Sequence, residues 1–208
     1  MAQNRIEITS SPASPFVRKV RIAAAVKGLD KSIEFIDPAK ETARADALRA
    51  ANPLAKIPTA RLADGTLIYD SHVICEYLDS LAPAPFLFPP AGPARFATLT
   101  LAALADGIAE AAILIVYEGR FRPKELWHQE WVDRQQTKVD AALDMLEAKT
   151  PDWSTQPDYG HITLACALGF LDLRHGGKWR ATHPKLVGWL ERFAAAVPSF
   201  AATAPPAA

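Results

Sequence analysis

Cysteine is scarce in this 208-residue chain: Cys75 and Cys166 are the only two, too few and too far apart for a disulfide framework or a zinc site. Excess charge of one sign is missing too. Lys plus Arg and Asp plus Glu both number 23, and residues 1–81 hold 11 basic and 10 acidic side chains, so neither half is polarised. That argues against a basic groove for nucleic acid or an anionic membrane surface. The longest wholly apolar run, Ala111 to Tyr117, falls short of the roughly 20 residues of a membrane span. The opening M-A-Q-N-R-I-E-I-T has no cationic region leading into an apolar one, so no secretory signal is expected. The five histidines show no ligand spacing. The expectation is a cytoplasmic, metal-free protein with no membrane or nucleic-acid partner.

What is present is enough apolar residue for a sizeable core, 50% of the chain, arranged in two styles. R-I-E-I-T (Arg5 to Thr9) and S-I-E-F-I (Ser32 to Ile36) alternate like short strands. Between them, Pro15 to Lys27 has helical spacing, with Gly28 placed as a C-terminal cap. Such a unit yields parallel pairing of its strands. Ala39 to Ala51 predicts a second helix, stopped by Asn52-Pro53. I-P-T-A-R-L, a turn at Asp64-Gly65 and T-L-I-Y predict a hairpin. A third helix follows from Ser71, with Ile74, Tyr77, Leu78 and Leu81 on one face. The order is β-α-β-α-β-β-α.

Residues 82–93 contain five of the 17 prolines and read as a stiff linker. Beyond it only helix patterns remain: Ala94 to Glu118, Lys124 to Lys149, Tyr159 to Arg174 and Pro184 to Val197. The tail A-T-A-P-P-A-A is expected to fray. The domains are therefore 1–81, an α/β unit, and 94–208, an all-α unit, with the linker 82–93 between them.

Three segments of the first domain carry chemistry. In T-S-S-P-A-S-P-F-V-R-K, Ser14 suits a helix cap because Pro15 has the right φ and no amide hydrogen to leave unpaired. The helix start behind it favours a negative ligand atom. In K-I-P-T (Lys56 to Thr59), a cis Ile57-Pro58 bond would turn the backbone of Ile57 toward an extended peptide. In Y-D-S-H-V-I, Asp70 and Ser71 open the third helix, where a ligand carboxylate can meet backbone N–H groups and an ammonium can meet Asp70. Each alone is an ordinary cap or strand entry.

Together, in this order, they carry a resemblance. Residues 6–81 resemble the thioredoxin-like domain of glutathione S-transferases, and the remainder resembles their helical second domain. Ser14-Pro15-Phe16-Val17 looks like the C-P-[YF]-C motif of the related glutaredoxins, with Ser for the first Cys and Val for the second. N-P-L-A-K-I-P is similar to the family's N-P-x-G-x-V-P segment, whose proline is cis, and D-S-H-V-I-C-E-Y-L-D to its [ED]-S-x-x-I-x-x-Y-L segment. S-P-F-V-R-K-V-R looks most like bacterial members of the serine type.

The resemblance implies a thioredoxin-like α/β domain followed by an all-α domain, with glutathione as co-substrate and a homodimeric assembly. Ser14 would donate to the glutathione sulfur, with Ser11 as its rival in a loop of three serines. Ile57 before a cis Pro58 would pair with the cysteinyl backbone, Lys56 is a further glutathione-binding candidate, and Asp70 and Ser71 would take the γ-glutamyl end. An electrophilic small molecule, in a detoxification role, would sit against the helix Ala94 to Glu118. Ile108 and Ala112 are its wall candidates, although a core role for both is the competing reading. Arg120 and Arg122, which flank Phe121 before Pro123, could meet an acidic substrate, although a solvated turn is the competing and favoured reading. A glutathione-dependent isomerase of the zeta type and a non-catalytic binding or regulatory protein are the alternatives. Ser at position 14 disfavours disulfide exchange through a protein mixed disulfide. The family's helix capping box, S/T-x-x-D, here reads Asp158-Tyr159-Gly160-His161, in which His161 is expected to be a poor reciprocal partner.

Overall fold

The structure is a computed structural model that describes residues 5–37, 42–83, 85–153 and 155–206. The chain forms two compact units, one of Met1–Pro90 with Val197–Pro206, the other essentially Ala91–Ala196. The division falls inside the proline-rich stretch. Val197–Pro206, which the sequence pattern assigns to the helical domain, instead packs with the first unit.

The first unit is built on β1 (Ile6–Thr9), α1 (Pro15–Val26), β2 (Ile33–Ile36), α2 (Thr42–Ala51), β3 (Ala60–Arg61), β4 (Leu67–Ile68) and α3 (Ser71–Ser80). The expected beginning of α2, residues 39–41, lies outside the described residues. The sheet order is β2-β1-β3-β4. β1 runs parallel to β2, with Ile6 opposite Ile33 and Thr9 opposite Ile36, and antiparallel to β3. Alternation decides the faces: Ile6 and Ile8 are buried and Glu7 is exposed. The hairpin strands are only two residues each, because the turn is longer than a D-G pair requires. Leu62 N donates to Thr66 O and Gly65 N to Leu62 O, at 2.9 Å each, with Gly65 at φ +88°, a left-handed conformation that glycine adopts without a Cβ penalty. Asp64 Oδ1 accepts from Thr66 N at 2.8 Å, and that bond holds the Asp64 carboxyl below its usual range.

Helix α1 packs on α3, and one buried ion pair ties their ends to the linker. Lys27 Nζ donates to Asp79 Oδ1 at 2.9 Å and to the carbonyls of Ala82 and Pro85. The Asp79 carboxylate in turn accepts from Leu87 N and Phe88 N. The linker is thus fastened, not free. Just ahead of the tail expected to fray, α8 (Ser199–Ala202) packs on α1, where Arg18 donates to Phe200 O at 2.7 Å with its guanidinium 3.9 Å from the Phe200 ring.

The second unit contains α4 (Gly92–Phe121), α5 (Gln129–Ala148), α6 (Tyr159–His175) and α7 (Pro184–Ala196). The predicted helix from Lys124 begins instead with a short 3-10 turn, Lys124–Leu126, and α5 proper starts after His128, whose N–H donates to the buried Glu118 at 2.8 Å. Helix α6 is buried on every side from Tyr159 to Leu171, the pattern of a central core helix. Gly160 lets it approach α4: a Cβ there would lie 2.7 Å from Thr98 O. Helix α4 is long and apolar enough to cross a membrane by length and composition, beyond what its uninterrupted apolar runs suggested. It packs against α5 and α6, burying Thr98, Ala102, Ala105, Ile108 and Ala109, and leaves Leu114, Tyr117 and Phe121 exposed.

The α6 capping box does form with histidine. Asp158 accepts from His161 N at 3.2 Å, and the His161 ring contacts Asp158 at both its N–H, 3.2 Å, and its carboxylate, 2.6 Å. Thr98 donates its hydroxyl to the same carboxylate.

Candidate functional site

The first unit gathers its polar, unspent groups at one end of the sheet. Thr9, at the end of β1, exchanges bonds with Thr59: Thr9 N and Oγ1 donate to Thr59 O at 2.9 and 3.1 Å, and Thr59 N donates to Thr9 Oγ1 at 2.9 Å. This fixes the β1–α1 loop beside the Ile57–Pro58 segment. Across the hairpin Ala60 faces Ile68 in antiparallel register, so Pro58, two residues before, and Asp70, two residues after, lie at the same end.

Ser14 is the N-cap of α1. Its backbone is extended, its N–H donates to Ser11 O at 3.1 Å, and its Oγ accepts from Val17 N at 3.3 Å. The hydroxyl hydrogen has no acceptor among the described residues, so it is free to donate outward. An N–H bond into the oxygen polarises that donation further. Pro15 follows at the first helical position, where its missing N–H costs nothing. Ser11, half-exposed one turn earlier, offers a hydroxyl with no hydrogen bond among the described residues, but it does not cap the helix.

The Ile57–Pro58 peptide is cis, as is Tyr69–Asp70. The N–H and C=O of Ile57 form no hydrogen bond among the described residues. The flanking backbone is firmly held. Asn52 Nδ2 donates to Lys56 O at 3.2 Å and Thr59 Oγ1 at 3.0 Å, Thr59 Oγ1 donates to Lys56 O at 2.9 Å, and Asn52 Oδ1 accepts from Leu54 N at 3.0 Å. Asn52 and Thr59 are buried. Lys56 is exposed and Pro58 buried. Thr9, Asn52 and Thr59 escaped the sequence reading as site residues. The Asn-Pro pair was visible only as a helix stop.

Asp70 caps α3, accepting from His72 N at 3.0 Å through one oxygen while its side chain stays exposed. Ser71, the next residue, is buried, and its hydroxyl has no hydrogen bond among the described residues. The first unit therefore offers a hydroxyl donor at a helix start, an unpaired peptide edge, and a carboxylate with a second free hydroxyl. The two remaining candidates, Ile108 and Ala112, lie on α4 and are buried; the Ala112 carbonyl accepts from His175 Nε2 at 3.1 Å.

Residues 13–81 match the glutathione S-transferase N-terminal domain and residues 129–192 the C-terminal domain. The GST-like protein YibF of Escherichia coli K12, whose function is uncharacterised, is 32% identical over 207 residues, 98% of this chain and all of that one. The chain belongs to the glutathione S-transferase family. A glutathione transferase family member from Pseudomonas fluorescens Pf-5, solved with bound glutathione, is similar at 40% identity and a TM-score of 0.90, over 97% of this chain and 99% of that one. The same protein with S-(propanoic acid)-glutathione gives 38% and 0.86, over 97% and 100%. A more partial match is the probable maleylacetoacetate isomerase 1 of Drosophila melanogaster, 29% identical over 122 residues, 56% of this chain and 49% of that one.

Proposed function

We propose that this chain is a glutathione transferase in which the Ser14 hydroxyl donates to the glutathione sulfur and holds it as the thiolate. The observation that carries this reading is the state of Ser14: its oxygen is engaged by Val17 N while its hydrogen remains unspent at the start of α1. A free thiol, with pKa about 8.5, is mostly protonated at neutral pH. A hydroxyl donor and the helix N-terminus both favour the charged form, and each unit of lowering corresponds to about 1.4 kcal/mol. The thiolate then attacks an electrophilic carbon, sulfur supplying the electron pair of the new C–S bond; with an aromatic halide the carbon–halogen bond breaks and halide leaves, and with an unsaturated acid the C=C π bond breaks and its pair takes a proton from water. The protein supplies no nucleophile of its own.

In this reading the cysteinyl backbone pairs with Ile57 N–H and C=O, as a strand pairs with an open edge. Lys56 and Pro58 line that contact. Asp70 takes the γ-glutamyl ammonium and Ser71 its carboxylate, supported by the N–H groups opening α3. Ser11 is the rival for the sulfur. Ile108 and Ala112 are the weakest members of the set, because their burial is already explained by packing. A cytoplasmic homodimer active in detoxification completes the proposal, and the exposed apolar side chains of α4 are compatible with a second copy. An isomerase of the zeta type is the second reading, favoured by the partial match to an isomerase.

The test is retention of the purified protein on immobilised glutathione, with turnover of an aromatic halide, an unsaturated carboxylic acid and a cis-enedione. The unsaturated acid belongs in the panel because a similar protein binds S-(propanoic acid)-glutathione. Conjugation lost in Ser14→Ala supports the transferase. Enedione turnover with no net glutathione consumed supports the isomerase, and retention with no turnover at all supports a binding protein.

A further inference from the structure

The peptide joining Lys56 to Ile57 is governed from beneath. Its two polar ends, the Lys56 carbonyl and the Ile57 N–H, belong to one trans unit, and in such a plane they point in opposite directions. Whatever fixes the one therefore aims the other. The Lys56 oxygen accepts two bonds, from Asn52 Nδ2 at 3.2 Å and from Thr59 Oγ1 at 2.9 Å, and Asn52 Nδ2 also donates to Thr59 Oγ1 at 3.0 Å. This triangle spends both amide hydrogens of Asn52 and the single hydroxyl hydrogen of Thr59. Each of the two residues is only 2% exposed, so a bond lost there leaves a buried polar group without its partner. On the far side of the plane, the Ile57 N–H has no acceptor among the described residues.

The chain also adopts a costly shape to bring that carbonyl inward. Ala55 stands at φ +50°, a left-handed conformation that a Cβ disfavours. Asn52 holds it there: its carbonyl accepts from Ala55 N at 2.8 Å and its Oδ1 from Leu54 N at 3.0 Å, while its own N–H continues the α2 ladder to Leu48 O at 2.8 Å. Strain of this kind persists where the surroundings over-determine it, and it clusters at ligand sites. Thr59 is anchored separately, because its N–H and C=O bond to Thr9 at the end of β1. One side chain ties the loop to α2 and the other ties it to the sheet.

We infer that Asn52 and Thr59 are positioning residues for glutathione: by drawing the Lys56 carbonyl inward they aim the Ile57 N–H outward, at the carbonyl oxygen of the tripeptide's cysteine. Both act through Ile57 rather than on the ligand. The inference rests on the transferase reading and deepens it, separating the residues that hold the peptide edge from Ser14, which acts on sulfur. A purely structural role for the pair would favour no single ligand atom, so ligands that differ at that atom distinguish the two.

The experiment compares two thiols by calorimetric titration of the full chain: glutathione, and γ-glutamylcysteamine, which keeps the glutamyl end, the amide N–H and the thiol but has no cysteinyl carbonyl. Thr59→Val, similar in shape but without the hydroxyl, is expected to weaken glutathione binding about tenfold, the scale of one hydrogen bond, and to leave the affinity for γ-glutamylcysteamine at the parent's value. Thr59→Ser, which keeps the hydroxyl, retains the parent's affinity for both. The pH at which the bound thiol ionises, read from the ultraviolet absorbance of the thiolate, does not move in either variant, because Ser14 is untouched. A measurement on the parent covers the case in which Thr59→Val does not fold: in isotope-labelled protein the Ile57 amide proton resonance moves downfield with saturating glutathione and stays in place with γ-glutamylcysteamine. Equal losses for both thiols in Thr59→Val, no loss for either, a loss of the same size in Thr59→Ser, or an Ile57 proton indifferent to bound glutathione overturns the inference. Absence of glutathione binding by the parent is a different result, which overturns the transferase reading and this inference with it.

Discussion

Two aspartates, Asp70 and Asp158, cap helices in the two units, and they do opposite work. Asp158 is enclosed: Thr98, the His161 backbone and the His161 ring all contact its carboxylate. Asp70 gives one oxygen to His72 N, remains exposed, and stands beside Ser71, whose hydroxyl has no partner among the described residues. The residue type and the extended cap backbone are shared, although Asp70 accepts from the second N–H of its helix and Asp158 from the third; the difference that matters is unspent hydrogen-bonding capacity. A satisfied cap holds a fold together, whereas an unsatisfied one waits for something else. Ser14, with its oxygen occupied and its hydrogen free, belongs with Asp70.

That contrast can be broken by mutation. The largest effect should be at Ser14: Ser14→Ala lowers kcat about 100-fold, equivalent to about 2.7 kcal/mol of transition-state stabilisation, with glutathione affinity little changed, read by steady-state kinetics with an aromatic halide. Should Ser11→Ala lose turnover instead, the open cap was misidentified. Next comes Asp158→Ala, which deprives Thr98 and His161 of their shared acceptor and is expected to cost about 2 kcal/mol of stability by urea denaturation. Glutathione affinity of the folded protein should not move.

Asp70→Asn sharpens the comparison from the other side. Asparagine caps as well as aspartate, so stability holds, while loss of the charge weakens glutathione binding about tenfold, or about 1.4 kcal/mol, by calorimetry. A stability loss without an affinity loss would place Asp70 with the closed caps. The smallest effect concerns acid. Burial alone would raise the Asp158 carboxyl, but bonds from His161 and Thr98 outweigh it and hold the group below its ordinary range. A carboxylate depressed on folding contributes stability above its unfolded pKa and loses it as pH falls through the folded one. Denaturation midpoints taken downward from about pH 5 should therefore fall more steeply in the parent than in Asp158→Asn; parallel curves would contradict this account.

Much of the first unit was legible because its signals are local. Alternation in Ile6 to Thr9, Ser14 ahead of Pro15, and Asp70 ahead of Ser71 each report on the few residues around them. What stayed hidden joins distant positions. Lys27 reads as the end of a helix, yet its ammonium meets Asp79, 52 residues on. Asn52 reads as a stop signal, yet its amide orders the Lys56–Thr59 segment. The spacing of Ile108 and Ala112 puts both on one face of α4 without saying what that face meets. His161 serves where a capping-box rule written for carboxylates and amides expects a poor partner, because its ring nitrogen has a similar reach.

The return of Val197–Pro206 to the first unit bears on any attempt to work with half of this molecule. A fragment cut at the proline-rich stretch would keep every group proposed to touch glutathione, yet it would be missing Phe200, and the guanidinium of Arg18 would be left in a socket without its lid. Supplying residues 197–206 as a separate peptide, or stitching them on by circular permutation, is the repair that the chain path suggests.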